Sequence, residues 1–555
     1  MFKVRQSFYQ TIWILFYLLA FLWLLQHSFS YLDPDFGWHL RLGQEIVQNH
    51  QVPRASFGSY TLPNYSFVDH EWLANLTIYL IYIKWGYLWL NILFCLWPLL
   101  TIILLNRFLS RFLKINLADR IWPLISLETL SLIAITPHLG VRIQELTLLF
   151  LGILVFLLWQ YNEKKSIWPL FCLWPLFYLW ANLHAGFLIG LVILLLFLAS
   201  KFSERWLSVR RPWFFIDFSR VISLKQLLSL AGFSLAAIGL TFLTPYGVSL
   251  YGFLLGYRDT FYLNHIVEWM PQWSFPYQYW QFSYISFALL AGYFWLFGVF
   301  RTRKRKLDIF AAGIFLIFSV LAIKSRRNFP LFFIISFPLL FKLASEELAP
   351  GRARIRNFLS FENKILDRSL KFFLVMIFLI VCLGIFIKIR FIKDPFQAFC
   401  EDKHSSNINR LLYPCRASAF LATKPGFKEQ RLLNDFGWGG YLLWSRPDWQ
   451  LFIDGRMPQA DFNGHSILEE YFNFFTRGRI AAELQTFKID FALLKKPNPP
   501  HELNLFERHF LLIDEQEINQ PNELMLYLDS SSDWSLIYQD QISLVYQRVS
   551  KSSPE

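Results

Sequence analysis

Charge is what this chain has least of. Only 17% of its 555 residues are Asp, Glu, Lys or Arg, where a soluble globular chain carries about a quarter. The deficit gathers in long apolar windows such as "TIWILFYLLAFLWLLQ", "LWLNILFCLWPLLTIILL" and "FLIGLVILLLFLA", which excludes a wholly soluble protein. Cysteine is scarce, five in all, too few for a disulfide scaffold. Cys95, Cys172 and Cys382 lie in apolar runs, where Cys behaves as a small hydrophobe. Cys400 and Cys415 sit together in a polar stretch; they pair if it faces an oxidising compartment and otherwise remain two thiols. No Gly-rich loop follows a strand to cradle phosphates, which argues against nucleotide-sugar chemistry in the cytosol. Internal repeats and low-complexity tracts are missing too.

What is present is hydrophobicity, at 55% of residues. Crossing a bilayer core takes roughly 20 apolar residues as helix, and only helices or closed barrels satisfy their backbone there. The expected fold is therefore a polytopic α-helical membrane protein. The net charge of +13 does not point to nucleic acid, because Lys and Arg cluster in short loops such as "YNEKK" and "FRTRKRKL" as orienting signals do. Placing those loops in the cytoplasm predicts about eleven spans. The N-terminus, with Lys3 and Arg5 before an uncleaved first span, is then cytoplasmic. Residues 1–390 form the membrane domain, with a first outer loop over 31–71, and 72–86 is expected to lie at the interface rather than cross. After about 391 short β-rich runs appear, "RLLNDFGWGGYLLW", "WQLFIDGR" and "WSLIYQDQISLVYQRV" among them. They bracket a helical stretch, "HSILEEYFNFFTRGRIAAELQTF". Residues 391–555 are read as an extracytoplasmic α/β domain, with Trp438, Gly439 and Gly440 marking a bulge or a close backbone approach.

This topology collects the unusual polar residues on the outer face. The first loop supplies Asp33, Asp35, His39, Arg41, Asp69, His70 and Glu71, and later loops supply Arg142, His184, Glu268, Arg326 and Arg327. The "KSRRN" cations defy the orienting bias, and deep in a membrane each charge costs on the order of 2.5–3.5 kcal/mol. Acids and cations at one membrane face suit a lipid-linked phosphate: cations hold the phosphate and a carboxylate acts on the nucleophile. Structural roles compete. Asp33 or Asp35 can cap the helix that follows, Asp69 can cap the next, and Trp269, Trp273 and Trp280 can belong to an aromatic belt rather than a sugar platform.

The run "DPDFGWHLRLGQEIVQNHQVP", then "SYT" and "FVDHEWLANLTIYLIYIKWG", resembles the opening of bacterial membrane glycosyltransferases of the GT-C superfamily. These are relatives of the protein mannosyltransferases and aminoarabinose transferases. The likeness continues through "VRIQELTLLF", "LWANLHAGFLIG", "LTPYG" with "VEWMPQW", and "NDFGWGGYLLW…LFIDGR". It implies transfer of a sugar from a polyprenyl-phosphate donor to a glycan, lipid or protein acceptor at the outer face of the bacterial cytoplasmic membrane. It also implies an essential acid near the outer end of the first span, which falls on Asp35 as base with Asp33 assisting. Arg142, His184, Arg326 and Arg327 are the expected donor-phosphate ligands. His39, Arg41, Asp69, His70, Glu71 and Glu268 are expected to touch substrate or support those that do. No cofactor is required by these residues, although a divalent metal fits such a site. A flippase for lipid-linked sugars and a non-catalytic envelope assembly protein are the competing readings.

Overall fold

The computed structural model describes residues 2–111, 121–210, 221–258, 260–271, 274, 309–347, most of 372–386, 395–400, and 413–549 without 498 and 510–512. Its first part is helical: α1 (Phe2–Ser30), α2 (Phe36–Asn49), α3 (Trp72–Trp85), α4 (Tyr87–Arg111), α5 (Ile121–Ile135), α6 (Gln144–Lys164), α7 (Trp168–Phe171), α8 (Leu173–Leu183), α9 (Phe187–Arg210), α10 (Leu224–Leu240), α11 (Val248–Gly256) and α12 (Thr260–His265), followed by Ile309–Lys324 and Phe329–Glu347. Among the described residues four helical stretches are long and apolar enough to cross a membrane: Gln10–Ser30, Tyr87–Arg111, Gln144–Lys164 and Phe187–Val209. Four shorter apolar helices accompany them, at Leu124–Ile133, Leu224–Leu240, Ile309–Lys324 and Val375–Gly384. The expected span between the 244–273 loop and the basic "RTRKRK" (301–306) falls outside the described residues.

Local chemistry sets the helix ends. Ser223 starts α10 through a capping box, its hydroxyl accepting from the Gln226 amide while the Gln226 side chain returns to the Ser223 amide. Helix α3 ends at Gly86, at φ +83°. With 14 residues α3 is about 21 Å long at 1.5 Å per residue, short of the roughly 30 Å hydrocarbon core. Its far end exposes Leu80, Ile83 and Trp85, with Lys84 over the Trp85 ring.

Among its described residues the C-terminal part holds six strands: β1 (Leu432–Asn434), β2 (Asp461–Phe462), β3 (His465–Ser466), β4 (Phe491–Lys495), β5 (Trp534–Gln539) and β6 (Ser543–Arg548). One sheet runs β1-β4-β6-β5, its β1–β4 pair parallel and the others antiparallel, and β2–β3 is a separate hairpin. Three expectations need correction. "GGYLLWS" is a helix, Gly439–Ser445, not a strand; a short apolar run fits either form, and here all of Gly439 to Leu443 is buried. "WQLFIDGR" contributes only isolated bridges at Leu451. The single helix expected over 465–487 is two, Ile467–Asn473 and Ile480–Thr486, parted by a turn whose Gly478 takes φ +87°.

The first loop and the C-terminal part are packed as one body. Ser59 bridges Leu451 in parallel, Leu451 donates its amide to Gly58 O at 2.9 Å, and Thr61 Oγ1 donates to Phe452 O at 2.6 Å. Backbone meets backbone at two glycines: a Cβ on Gly37 of α2 would lie 2.1 Å from Gly440 O, and one on Gly440 would lie 2.4 Å from Pro34 O. Tyr413, just before the Cys415 half of the Cys400–Cys415 disulfide, donates its hydroxyl to Asp33 O at 3.2 Å.

A candidate active site at the first loop

Asp33 and Asp35 do different jobs. The Asp35 amide donates to Asp33 Oδ1 at 2.8 Å, the side-chain turn typical of Asp before a helix. Asp33 Oδ2 accepts from Arg142 Nε. Asp35 is the residue before α2, yet its carboxylate makes no capping hydrogen bond. Its Oδ1 accepts from the Trp38 indole at 2.8 Å, and among the described residues no protein donor meets its Oδ2. Burial first, then the negative charge of Asp33, push the Asp35 carboxyl up to about 8, against the opposing Trp38 hydrogen bond and the Arg142 charge.

From Asp33 a line of alternating charge runs across the chain. Arg142, in the turn before α6, also donates to Tyr31 OH at 3.1 Å and pairs with Glu268 Oε1 at 2.8 Å. Glu268 Oε2 lies 3.6 Å from Arg327 Nη1, and the Arg327 guanidinium covers the Trp269 ring at 5.0 Å. Burial alone would raise Glu268, but Arg142 and Arg327 outweigh it and hold the carboxyl well below the usual range. The first loop, the α5–α6 turn, the loop after α12 and the turn at 326–328 thus meet at one place. Asp33 and Arg142 are buried, while Arg327 keeps 31% of its side chain exposed and holds its carboxylate at the longest distance in the series.

A second group adjoins the first. Glu71 Oε1 lies 3.5 Å from His70 Nε2 and 3.4 Å from His184 Nε2. His184 Nδ1 accepts from the Gly186 amide at 3.0 Å, which leaves the ring proton on Nε2 facing Glu71. His39 Nδ1 meets Asn75 Oδ1 at 2.6 Å, and Asn75 Nδ2 donates to Asp69 Oδ1 at 2.8 Å. Burial raises Asp69 to about 6 against that Asn75 bond. The charges of both Glu268 and Glu71 act on Arg327, which links the two groups electrostatically. Among the described residues no set of three His, Cys, Asp or Glu side chains is arranged to hold a metal ion.

Two expected members lie elsewhere. Arg41 is taken up on its own helix by Glu45 Oε1 at 2.6 Å and Gln44 at 2.9 Å, because i, i+3 and i+4 positions share a face. Arg326 turns from its neighbour and donates to the carbonyls of Pro271 and Ser274, a fork filled by backbone rather than by a ligand. Arg142 is likewise committed, to Asp33, Tyr31 and Glu268, so of the three arginines Arg327 has the fewest side-chain partners among the described residues, Glu268 and the Trp269 ring. Trp273 and Trp280 lie outside the described residues, whereas Trp269 packs under Arg327 and donates its indole to Tyr262 OH at 3.1 Å.

Several residues here were not anticipated. Tyr31 stacks under Arg142 at 5.3 Å. Tyr257 and Tyr262 pack ring to ring at 5.4 Å, Tyr257 also meeting His70 at 6.2 Å. Gly455 of the "FIDGR" loop brings backbone from the C-terminal part against Asp35. "DG" reads locally as a turn, and nothing in it discloses a partner four hundred positions away.

No protein-family model and no curated protein matches the chain. Among solved structures, the Archaeoglobus fulgidus oligosaccharyltransferase in its apo form aligns over 86% of this chain and 69% of its own, at 11% identity and a TM-score of 0.45. The archaeal oligosaccharyltransferase AglB from Archaeoglobus fulgidus, in complex with an inhibitory peptide and a dolichol-phosphate, aligns over 97% of this chain and 75% of its own, at 12% identity and a TM-score of 0.46. Likenesses this distant identify neither reaction nor substrate.

Proposed function

We propose that this chain is a GT-C-type glycosyltransferase that moves a sugar from a polyprenyl-phosphate donor to an acceptor hydroxyl at the outer face of a bacterial cytoplasmic membrane. The supporting observation is the line Asp33–Arg142–Glu268–Arg327 beside an Asp35 whose Oδ2 is open. In this reading Asp35 Oδ2 takes the acceptor proton as the hydroxyl oxygen attacks the anomeric carbon. The bond from that carbon to the phosphate oxygen breaks, its electron pair leaves on the lipid phosphate, and the configuration inverts. Arg327 receives the leaving phosphate; the ring face of Trp269 and the phenols of Tyr257 and Tyr262 line its approach. Arg142 and Asp33 fix the turn that aims Asp35, and Glu71 with His70 and His184 sets the neighbouring wall.

The full chain in proteoliposomes, given polyprenyl-phosphate hexose labelled in the sugar, tests this. Label should pass to an acceptor in the membrane extract, and Asp35→Asn should lower transfer by roughly 10²–10⁴-fold, the usual worth of a general base, with expression unchanged. Label that crosses the bilayer without changing carrier would make the chain a flippase. Neither movement nor transfer would leave an assembly role.

A further inference from the structure

Besides Tyr413 and Gly440, the C-terminal part reaches the site through Asp454, Gly455 and Arg456. Asp454 and Arg456 form a buried two-point ion pair, Nε to Oδ1 and Nη2 to Oδ2 at 2.8 Å each, and the Arg456 amide closes on Asp454 Oδ1 at 2.9 Å. This fork then grips the first loop: Arg456 Nη2 donates to Phe57 O at 2.6 Å, and the guanidinium covers the Phe57 ring at 4.5 Å. Held so, the Gly455 backbone lies against the Asp35–Trp38 hydrogen bond. A Cβ there would sit 2.6 Å from Asp35 Oδ1 and 3.1 Å from Trp38 Nε1. The same wall is braced from behind, since a Cβ on Gly439 would lie 2.7 Å from Asp454 Cα.

We propose that the Asp454–Gly455–Arg456 loop is a positioning element for Asp35, closing one side of its carboxylate so that Oδ1 is tied to Trp38 and Oδ2 alone faces substrate. The C-terminal part is then an integral piece of the catalytic site. This rests on Asp35 being the base of the proposed transfer. Only Gly fits at 455, because any side chain displaces the carboxylate it is meant to hold. The loop also keeps water from Oδ1, adding to the burial that makes Asp35 a stronger base. The other charged and titratable groups facing Asp35 are Asp33, Arg142, Glu268, Tyr31, Tyr257, Tyr262 and Tyr413, and none of them belongs to this loop.

Dicyclohexylcarbodiimide, which modifies protonated carboxyls, reads the loop's effect without any substrate. The purified full chain in nanodiscs is treated across a pH series, and modification of Asp35 is located by peptide mass spectrometry. In the wild type, labelling should fall with a midpoint of about 8. In Gly455→Ala the midpoint should drop by about one pH unit as water reaches the displaced carboxylate, and transfer should fall roughly 10²-fold from misplacement. Should Gly455→Ala not accumulate, Arg456→Lys loosens the grip on Phe57 without adding an atom beside Asp35, and the same downward move is expected. An unmoved midpoint in whichever variant folds overturns the positioning role, even if Asp35→Asn still abolishes transfer. Conversely, a moved midpoint in a chain that transfers no sugar keeps the loop's role and removes the proposed reaction.

Discussion

A carboxylate placed to accept a proton works only when it has none. Asp35 is raised by burial and by Asp33 to about 8, so below that pH most of the chain carries an unavailable base. The proposed transfer should therefore speed up with pH, kcat/KM climbing about tenfold per unit on the acid side and levelling above the midpoint. A profile that stays flat from about pH 6 to 9 would remove Asp35 from the rate equation. The Asp33–Arg142 pair shows how much of this could be read beforehand. Acids and arginines stand out in a chain with so little charge, so Asp33, Asp35, Glu268 and Arg327 were visible as candidates. Which of two adjacent arginines serves the site was not, because a 3₁₀ turn over Arg326–Asn328 sends one fork to backbone carbonyls and the other to Glu268. Tyr257 and Tyr262 were hidden for another reason: they are two among 24 tyrosines, most of which suit an interfacial belt equally well.

Among elements, the apolar helices were legible wherever length decided. α4, α6 and α9 were visible as runs no soluble chain would carry, and α3 is shorter, at 14 residues. Short apolar runs in the C-terminal part were not, since "GYLLW" satisfies a strand as readily as the helix it forms. What decides its position is contact: Gly440 carries no side chain because Pro34 O occupies that space, and Gly37 faces Gly440 O in return. A valine at 440 has nowhere to go but against backbone. Gly440→Val should cost about 1–3 kcal/mol as overpacking, seen as a lower melting temperature. The seam between α2 and Gly439–Ser445 should become open to limited proteolysis. A variant as protease-resistant and as heat-stable as the wild type would mean that these two elements do not meet.

For the molecule as a whole, the docking of the first loop on the C-terminal part constrains topology more tightly than loop charge does. Leu451 is bonded to both Gly58 and Tyr60 of the loop, so residues 31–71 and 413–549 must lie on the same side of the membrane whatever the span count. The Cys400–Cys415 disulfide agrees with the proposed placement outside the cytosol, where such bonds persist. Charge bias points to the same proposed side, but by an argument that an outward Arg327 would itself violate; the packed seam and the disulfide do not depend on it. Cysteines placed at the exposed positions Gln51 and Gln485, and at Lys164, the exposed last residue of α6, separate the alternatives in a background lacking Cys95, Cys172 and Cys382. A membrane-impermeant maleimide added to intact cells should label Gln51→Cys and Gln485→Cys together, and Lys164→Cys only after lysis. Labelling of Gln51→Cys without Gln485→Cys would place the loop and the C-terminal part on opposite faces. Asp35 would then have no Gly455 beside it, and the site would have to be built from the membrane helices alone.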